Sequence, residues 1–281
     1  MRHRLPGVPD MPTFEYQGLT IYYRDVRECG NSCGVPVVFV HGAGSSHAIW
    51  TLQINEFKQT RRVIALDLSG HGQSEAPPQG PDAEEASIEN GYARELEALI
   101  EHLGLDRFVL VGHSMGGGVV MAYVLNRPAR MPVAIALVDT SADLDLSRLA
   151  PGLLIETVET YLTLIRGEVT NEDSLAHRIL VEEEEAKRAR PEMVQRDLRA
   201  CDRFDITDRV EEIDIPTFVI HGEDDDIIRL GVAEDLVRRL PRADIALIRD
   251  ADHCPMVQQP KEFNRLLRKF LEWVDRQVSE S

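Results

Sequence analysis

Short runs of consecutive apolar residues, many of them β-branched, alternate along the chain with longer segments in which apolar residues recur every three or four positions. The first pattern is typical of strands buried on both faces, and the second is typical of amphipathic helices that cover them. The alternation predicts an α/β domain with a mainly parallel sheet. The predicted inner strands are Pro36–Val40, Arg62–Leu66, Phe108–Val111, Val133–Val138, Thr217–Ile220 and Ile245–Ile248.

The two ends of the chain add further elements to this pattern. Segments Thr13–Tyr16 and Leu19–Asp25 predict a hairpin that turns at Gln17 and Gly18. Helical spacing predicts a helix at Tyr92–Leu103 and a last amphipathic helix at Lys261–Val278.

One long stretch breaks the alternation. Between Asp139 and Ile215 the chain shows helical patterns but no strand-like run, and it carries the acidic run Glu182–Glu185. So long an excursion between two strands of one sheet predicts an inserted helical subdomain, and we interpret the acidic run as a solvated helix face. We assign residues 1–141 and 192–281 to the α/β core and residues 142–191 to a helical cap, with a helix at Glu192–Phe204 leading back towards the sheet.

Composition narrows the possible partners and the location. The net charge of −17 argues against nucleic acid and anionic membranes as partners, because both would repel the protein. Met1–Asp10 lacks an apolar signal segment, and no run approaches the roughly 18 apolar residues of a membrane span. The four cysteines lack the paired spacing of zinc ligands, and Cys29 and Cys33 would form a loop disulfide only in an oxidising compartment. We therefore expect a soluble, cytoplasmic protein with free thiols.

The pentapeptide Gly112–Gly116 carries the clearest chemical signal. It is a G-x-S-x-G element that follows the apolar run Phe108–Val111 and precedes a helix-compatible stretch. In that context such a motif forms a sharp strand-to-helix turn that presents Ser114 as a nucleophile. A Cβ at position 112 or 116 is expected to clash with the neighbouring strand or helix.

A serine nucleophile needs a general base and a group that orients the base. His253 is the strongest candidate base, because it lies in the polar loop between the last strand and the last helix. The acid should follow another parallel strand, and three consecutive aspartates, Asp224, Asp225 and Asp226, come shortly after Thr217–Ile220. The chain order Ser…Asp…His is the one found in hydrolases built on such a sheet.

Five motifs, in order, resemble the α/β-hydrolase superfamily, and specifically its small serine esterase, lactonase and perhydrolase branch. The motifs are the loop His41–Ser46 ending at Trp50, the D-x-x-G-x-G-x-S loop Asp67–Ser74, the segment Arg94–Gly112 before the elbow, the G-x-x-D motif Gly222–Asp225, and Asp252–His253 followed by Gln259–Pro260. The resemblance covers nearly the whole chain outside the insertion and implies the α/β-hydrolase fold. It is poorly specific for substrate.

The resemblance assigns the acid to Asp225, with Asp139 as the rival acid of some family branches. Many relatives have proline where this chain has Asp226, so an adjacent carboxylate could perturb Asp225, while Asp224 and Asp226 are expected to be solvated. The backbone N–H of Met115 is one expected oxyanion donor, and by resemblance the N–H of Ala43 is the second.

Other histidines and apolar residues near these motifs receive structural or pocket roles. We expect His41 to hold the oxyanion loop, His113 to pack beneath the elbow, and His71 and His221 to belong to a turn and a strand end. Trp50 and Met256 are candidates for substrate contact in an acyl pocket, with core packing as the alternative.

The resulting hypothesis is a serine hydrolase that cleaves a small carboxylic ester or lactone through an acyl-enzyme, without metal or cofactor. C–C bond hydrolysis of a diketone or cofactor-free perhydrolysis would use the same triad. The family's C–C hydrolases tend to carry a G-x-G-P-G-like loop, which differs from Gly42–Ser46. A non-catalytic ligand receptor is the alternative outside the enzymes. The expected partner is the small substrate, and a homodimer is left open.

Overall fold

The strands form one eight-stranded sheet. The computed structural model describes residues 12–30, 33–78, 86–145, 175–179, 181 and 190–280. Within these residues the strand order is β1-β2-β4-β3-β5-β6-β7-β8. β1 and β2 are antiparallel to their neighbours, and the other six strands run parallel. The strands are β1 (Thr13–Tyr16), β2 (Leu19–Val26), β3 (Gly34–Val40), β4 (Arg61–Leu66), β5 (Val109–His113), β6 (Ala134–Val138), β7 (Thr217–Gly222) and β8 (Ala243–Ile248). The predicted α/β fold with a mainly parallel sheet is confirmed.

The first two strands form the predicted hairpin at one edge of the sheet. Tyr16 pairs with Leu19, so the loop between them has two residues. Both loop residues have positive φ, 48° at Gln17 and 79° at Gly18. Positive φ at both positions matches the twist of an antiparallel ribbon, which explains the tight turn.

Helices cover both faces of the sheet. They are α1 (Thr51–Phe57), α2 (Ala93–Leu103), α3 (Met115–Leu125), α4 (Pro191–Asp202), α5 (Leu230–Arg239), α6 (Pro255–Gln258) and α7 (Pro260–Glu280). α2, α3 and α5 share one buried cluster with Val38 of β3, whereas α1 and α7 share the other with Phe39. Side chains of adjacent strand residues point to opposite faces, so one apolar run supplies both clusters. None of the helices in the described part of the chain is long and apolar enough to cross a bilayer.

The two ends of the predicted insertion are fastened together. Asp143 and Asp205 form an antiparallel bridge, and backbone hydrogen bonds join Leu144 N–H to Phe204 O (3.1 Å) and Ile206 N–H to Ala142 O (2.9 Å). Residues 175–179 are helical. Most of the cap predicted at 142–191 lies outside the described residues, as does the acidic run at 182–185, so the cap stays a prediction.

The cysteines differ from the expectation of four free thiols. Cys29 and Cys33 form a disulfide, with their Cα atoms 5.6 Å apart. That separation lies in the range that a disulfide needs. Cys201 and Cys254 are buried thiols that take no part in a disulfide.

Asp275 fastens the last helix to the sheet. Its Oδ1 accepts a hydrogen bond from Val35 N–H (2.8 Å), and its Oδ2 lies 3.1 Å from Nη2 of Arg61. Arg61 also donates to Val35 O (2.9 Å), and its side chain is only 3% exposed. The buried guanidinium therefore depends on Asp275 for its negative partner.

We expect Asp275→Ala to lower the free energy of unfolding by about 1–3 kcal/mol, because it leaves a buried guanidinium and the Val35 N–H without their acceptor. Chemical denaturation measures the change. Glu234→Gln is the control, since its contact with Arg238 at 3.9 Å joins two exposed side chains and should be worth less than about 0.5 kcal/mol. Equal effects of the two substitutions would contradict the role given to Asp275.

Candidate active site

Ser114 lies at the sharp turn between β5 and α3. Its φ is 51° and its ψ is −122°, a conformation that costs a non-glycine residue about 1–3 kcal/mol. Hydrogen bonds on both sides of the residue hold the turn. Ser114 N–H donates to Val138 O (2.9 Å), and Ser114 O accepts from Thr140 Oγ1 (2.7 Å) and Gly117 N–H (2.8 Å). The turn leaves the serine side chain half-buried at the carboxyl end of the sheet.

Close backbone contacts explain the glycines of the pentapeptide. A Cβ on Gly116 would lie 2.4 Å from Val40 O and 2.5 Å from His41 O. A Cβ on Gly112 would lie 2.3 Å from Gly116 O. Both approaches are far shorter than carbon–oxygen contacts allow, so the predicted clashes at 112 and 116 are confirmed. The elbow is thereby pressed against the end of β3 and the loop that follows it.

His253 and Asp225 form a buried hydrogen-bonded pair. Nδ1 of His253 lies 2.9 Å from Oδ2 of Asp225, and both side chains are almost fully buried. Oδ1 of Asp225 accepts from the N–H groups of Ile227 (2.8 Å) and Ile228 (3.0 Å). Burial alone would raise the pKa of Asp225, but the charge and hydrogen bond of His253 outweigh it and hold the pKa at about 2. An ionised Asp225 accepts the proton on Nδ1 of His253, and in the tautomer that carries only this proton Nε2 is the acceptor nitrogen.

The loops after β7 and β8 pack tightly together and set this pair. A Cβ on Gly222 would lie 2.3 Å from Asp252 O and 2.5 Å from Ala251 O. Asp224 N–H donates to Ala251 O (3.0 Å) across the same junction. The His253 loop also reaches the elbow, because His113 Nε2 donates to His253 O (2.7 Å) and the two rings lie 4.9 Å apart. His253 thus sits beside the residue that precedes Ser114.

Asp139, the rival acid, is buried next to Asp225 and differs from it in charge. Its Oδ1 accepts from Gly222 N–H (2.9 Å). Burial, together with the negative charge of Asp225, raises the pKa of Asp139 well above its ordinary value. Two buried carboxyls this close share one negative charge, and Asp225 holds it. Asp226 is exposed, as is Asp224, so the carboxyl that interacts with Asp225 is Asp139 and not the expected Asp226.

Asp139, His221 and Asp225 are also the residues best placed to hold a metal ion within the described ranges. One ligand atom of each lies within 4.8 Å of the others, and all three are buried. His221 Nδ1 lies 3.1 Å from Asp139 Oδ1. Burial lowers the pKa of His221, so the ring is neutral and able to accept or donate. His253 and two backbone N–H groups already occupy the oxygens of Asp225.

The loop after β3 passes directly over the elbow. A Cβ on Gly42 would lie 3.2 Å from Cβ of Ser114, so this backbone runs beside the nucleophile. Ala43 follows, buried at 4% exposure, and Gly44 has the left-handed φ of 61°. Met115 is the first residue of α3, and a helix leaves its first N–H groups without an intrahelical acceptor. Ala43 and Met115, the two predicted oxyanion donors, therefore flank the serine.

His41 ties the oxyanion loop to the loop after β4. Its Nδ1 donates to Gly42 O (2.8 Å), and its Nε2 accepts from Leu68 N–H (3.1 Å). Burial and the charge of His71 lower the pKa of His41 to about 4, so the ring is neutral as this pattern requires. The structural role predicted for His41 is confirmed, and that for His113 agrees with its packing against His253.

A buried polar network behind the oxyanion loop escaped the sequence analysis. Its centre is Asp197 of α4, which is fully buried. Asp197 Oδ2 accepts from Gly44 N–H (2.7 Å) and lies 2.8 Å from His71 Nε2, while Oδ1 accepts from Tyr92 Oη (2.5 Å). The available signal was the buried stripe of α4, in which this carboxylate interrupts apolar positions. The stripe consists of Met193, Val194, Asp197, Ala200 and Cys201.

Trp50 and Met256 lie in the core instead of on a pocket wall. Both have 0% exposure and belong to the cluster on the α1 and α7 face. The Trp50 ring packs 4.7 Å from that of Phe39 and 6.3 Å from that of Phe263. Core packing, the alternative given above for Trp50 and Met256, therefore describes both side chains in this structure, because each is surrounded by apolar neighbours of that cluster.

Comparison with known proteins identifies relatives over most of the chain. Residues 37–266 match the alpha/beta hydrolase family. The chain is 30% identical over 235 residues to a non-heme chloroperoxidase of Streptomyces lividans, covering 75% of this chain and 80% of that protein. It is 27% identical over 263 residues to 2-hydroxymuconate semialdehyde hydrolase of Pseudomonas putida, covering 86% and 89%.

Structural similarity extends over most of the chain. The structure described as Est816, an N-acyl homoserine lactone degrading enzyme, aligns with a TM-score of 0.77 at 27% identity, covering 92% of this chain and all of that one (100%). A shorter match, to 1-acylglycerol-3-phosphate O-acyltransferase ABHD5 of Sus scrofa, has 38% identity over 97 residues. That match spans 34% of this chain and only 27% of that protein.

Gly116→Ala should disrupt the elbow, because the added methyl group meets two backbone carbonyls that cannot move independently of β3. We expect a loss of about 1–3 kcal/mol or more in unfolding free energy, measured by denaturant titration. Gly231→Ala in α5 is the matched control, since nothing lies within 4 Å of its Cβ position. It should be neutral or stabilising by up to about 1 kcal/mol. A Gly116→Ala protein as stable as the wild type would refute the close packing of the elbow.

Proposed function

The chain belongs to the alpha/beta hydrolase family, and we propose that it is a serine hydrolase that cleaves a small carboxylic ester or lactone. The observation that carries the proposal is the His253–Asp225 hydrogen bond, formed by a histidine loop that packs against the residue before the strained Ser114. A neutral imidazole oriented by an ionised carboxylate is what a serine hydroxyl needs for activation.

In the proposed reaction Ser114 Oγ attacks the substrate carbonyl while His253 Nε2 takes the hydroxyl proton. Asp225 retains the Nδ1 proton of His253 and stabilises the imidazolium that forms. The N–H groups of Ala43 and Met115 stabilise the oxyanion of the tetrahedral intermediate. His253 then gives its proton to the departing alkoxide. In the second half of the reaction, His253 takes a proton from water as the water attacks the acyl carbonyl. It then gives that proton to Ser114 Oγ as the acid departs.

Two related reactions share this machinery. A non-heme chloroperoxidase is among the relatives, which favours attack on the acyl-enzyme by hydrogen peroxide in place of water as a second activity. The similarity to 2-hydroxymuconate semialdehyde hydrolase favours C–C bond cleavage in the same way. Ester or lactone hydrolysis is preferred, because a structure described as a lactone-degrading enzyme aligns over 92% of the chain at 27% identity.

A fluorophosphonate probe should label the wild-type protein at Ser114, because the probe reacts with activated serine hydroxyls. Mass spectrometry of the labelled peptide locates the adduct, and Ser114→Ala should abolish it. Ser141→Ala is the control, since Ser141 lies in the loop after β6 outside the proposed triad. A folded wild-type protein that takes up no probe would favour a ligand receptor over an enzyme.

The two carboxyls should respond differently to amide substitution. We expect Asp225→Asn to lower turnover of p-nitrophenyl acetate by about 10⁴-fold, because it reverses the tautomer of His253. Asp139→Asn should change turnover by less than about tenfold, since an amide resembles the uncharged carboxyl that burial enforces there. If Asp139→Asn caused the larger loss, the acid would be Asp139.

Substrate preference is best resolved with a panel of short esters, γ- and δ-lactones and a vinylogous diketone, each measured with and without hydrogen peroxide. Hydrolysis of esters or lactones at rates well above those of the diketone supports the proposal. A preference for the diketone would instead assign C–C bond hydrolysis to the same triad.

A further inference from the structure

We infer that Asp197 is a positioning residue for the oxyanion hole, acting as a buried anionic anchor for the loop His41–Ser46. The inference rests on the proposed function, because it concerns the step in which the oxyanion forms. Asp197 lies outside the proposed triad, and it is 153 positions along the chain from Gly44, the loop residue that it binds. Three independent features of the structure support it.

The first feature is where Asp197 binds the loop. Gly44 N–H donates to Asp197 Oδ2 at 2.7 Å, a length typical of hydrogen bonds to a charged acceptor. This bond sets the plane of the peptide between Ala43 and Gly44. That peptide is joined through one Cα to the peptide that carries the proposed Ala43 donor. Glycine at position 44 adopts its left-handed φ without strain and does not by itself restrict the loop, so the bond to Asp197 supplies a restraint on the loop's orientation.

The second feature is that donors saturate both oxygens of Asp197. Oδ2 binds Gly44 N–H and His71, and Oδ1 accepts from Tyr92 Oη, which in turn accepts from Arg196 at 2.9 Å. Burial opposes the charged form of Asp197, but the charge and hydrogen bond of His71 lower its pKa below the ordinary value. Three donors take the place of the water molecules that a carboxylate would otherwise bind, so Asp197 keeps its charge although it is buried.

The third feature is the protonation state that hydrogen bonding imposes on His71. Its Nδ1 lies 3.1 Å from Ser69 O, and its Nε2 lies 2.8 Å from Asp197 Oδ2. A carbonyl and a carboxylate are both acceptors, so both ring nitrogens must donate, and the ring is an imidazolium. The charge of Asp197 raises the pKa of His71 although burial opposes it, in agreement with this pattern.

Three further polar groups, His41, Glu95 and Arg196, lie around the ion pair. His41 is neutral, with its ring 5.0 Å from that of His71. Glu95 is buried, accepts from Ser69 N–H (2.7 Å), and has a pKa raised by burial to about 7. Arg196 lies over the Tyr92 ring at 5.4 Å. A buried, hydrogen-bonded ion pair therefore holds the oxyanion loop, in addition to the apolar packing of Ala43.

The test compares Asp197→Asn with wild type in the full-length protein, using p-nitrophenyl acetate and a phenyl trifluoromethyl ketone. The ketone forms a tetrahedral adduct that places an oxyanion in the hole. We expect kcat to fall by about 10- to 100-fold with KM changed less than about threefold, because a small displacement of a donor costs a large part of the oxyanion interaction. The inhibition constant of the ketone should rise by the same factor as the loss in kcat/KM.

Tyr92→Phe provides a second test if Asp197→Asn does not fold, and Glu192→Gln is the control. Tyr92→Phe removes the donor to Oδ1 and leaves the Gly44 bond in place, so kcat and ketone affinity should fall together by about threefold. Glu192→Gln removes an exposed negative charge from the same helix and should leave both unchanged.

Three outcomes separate the possibilities. Parallel losses of kcat/KM and ketone affinity in Asp197→Asn or Tyr92→Phe support the inference. Variants with a lower melting temperature but unchanged kcat and ketone affinity overturn it, because the network would then be structural only. A wild type that reacts with neither the ester nor a fluorophosphonate overturns the proposed function and this inference together.

Discussion

The close approach of the elbow to β3 is the constraint on which the rest of the site depends. Gly116 lies so near the carbonyl groups of Val40 and His41 that no side chain fits between them. This contact holds the strained φ of 51° at Ser114 and places the loop after β3 beside the serine. Strain at one residue persists only where neighbouring structure over-determines it, and here two strands and a helix do so.

The two neighbouring buried carboxyls differ in charge, since Asp225 is ionised and Asp139 is uncharged. Asp225 meets His253 and two backbone N–H groups, whereas Asp139 meets one N–H group, the neutral ring of His221 and the charge of Asp225. Both carboxyls are buried, so the groups that contact them decide which of them ionises. His253 thereby has a single anionic partner, and its tautomer is defined.

Much of this arrangement was predictable from local patterns. Apolar runs located the inner strands to within a few residues, and the glycines at 112 and 116 indicated backbone contacts. The role of Trp50 stayed open at the sequence level, because an apolar residue beside a site motif can face the pocket or the core, and periodicity cannot distinguish the two over one turn. The disulfide between Cys29 and Cys33 was not predicted, because the spacing of two cysteines along the chain does not define the distance between their Cα atoms.

The two sides of the serine are held in different ways, and this difference explains which residues sequence patterns could find. On the acid side, Gly222 and the carbonyls of 251 and 252 form a backbone junction, so the relevant residues lie within short motifs. On the oxyanion side, a carboxylate from α4 reaches across the fold to Gly44 and His71. Such a contact joins distant parts of the chain and has no local motif. In the sequence, Asp197 differs from a surface acid only in its position, which falls within an otherwise apolar stripe of its helix. A buried carboxylate without a partner would be strongly destabilising, so that position indicates that Asp197 has one.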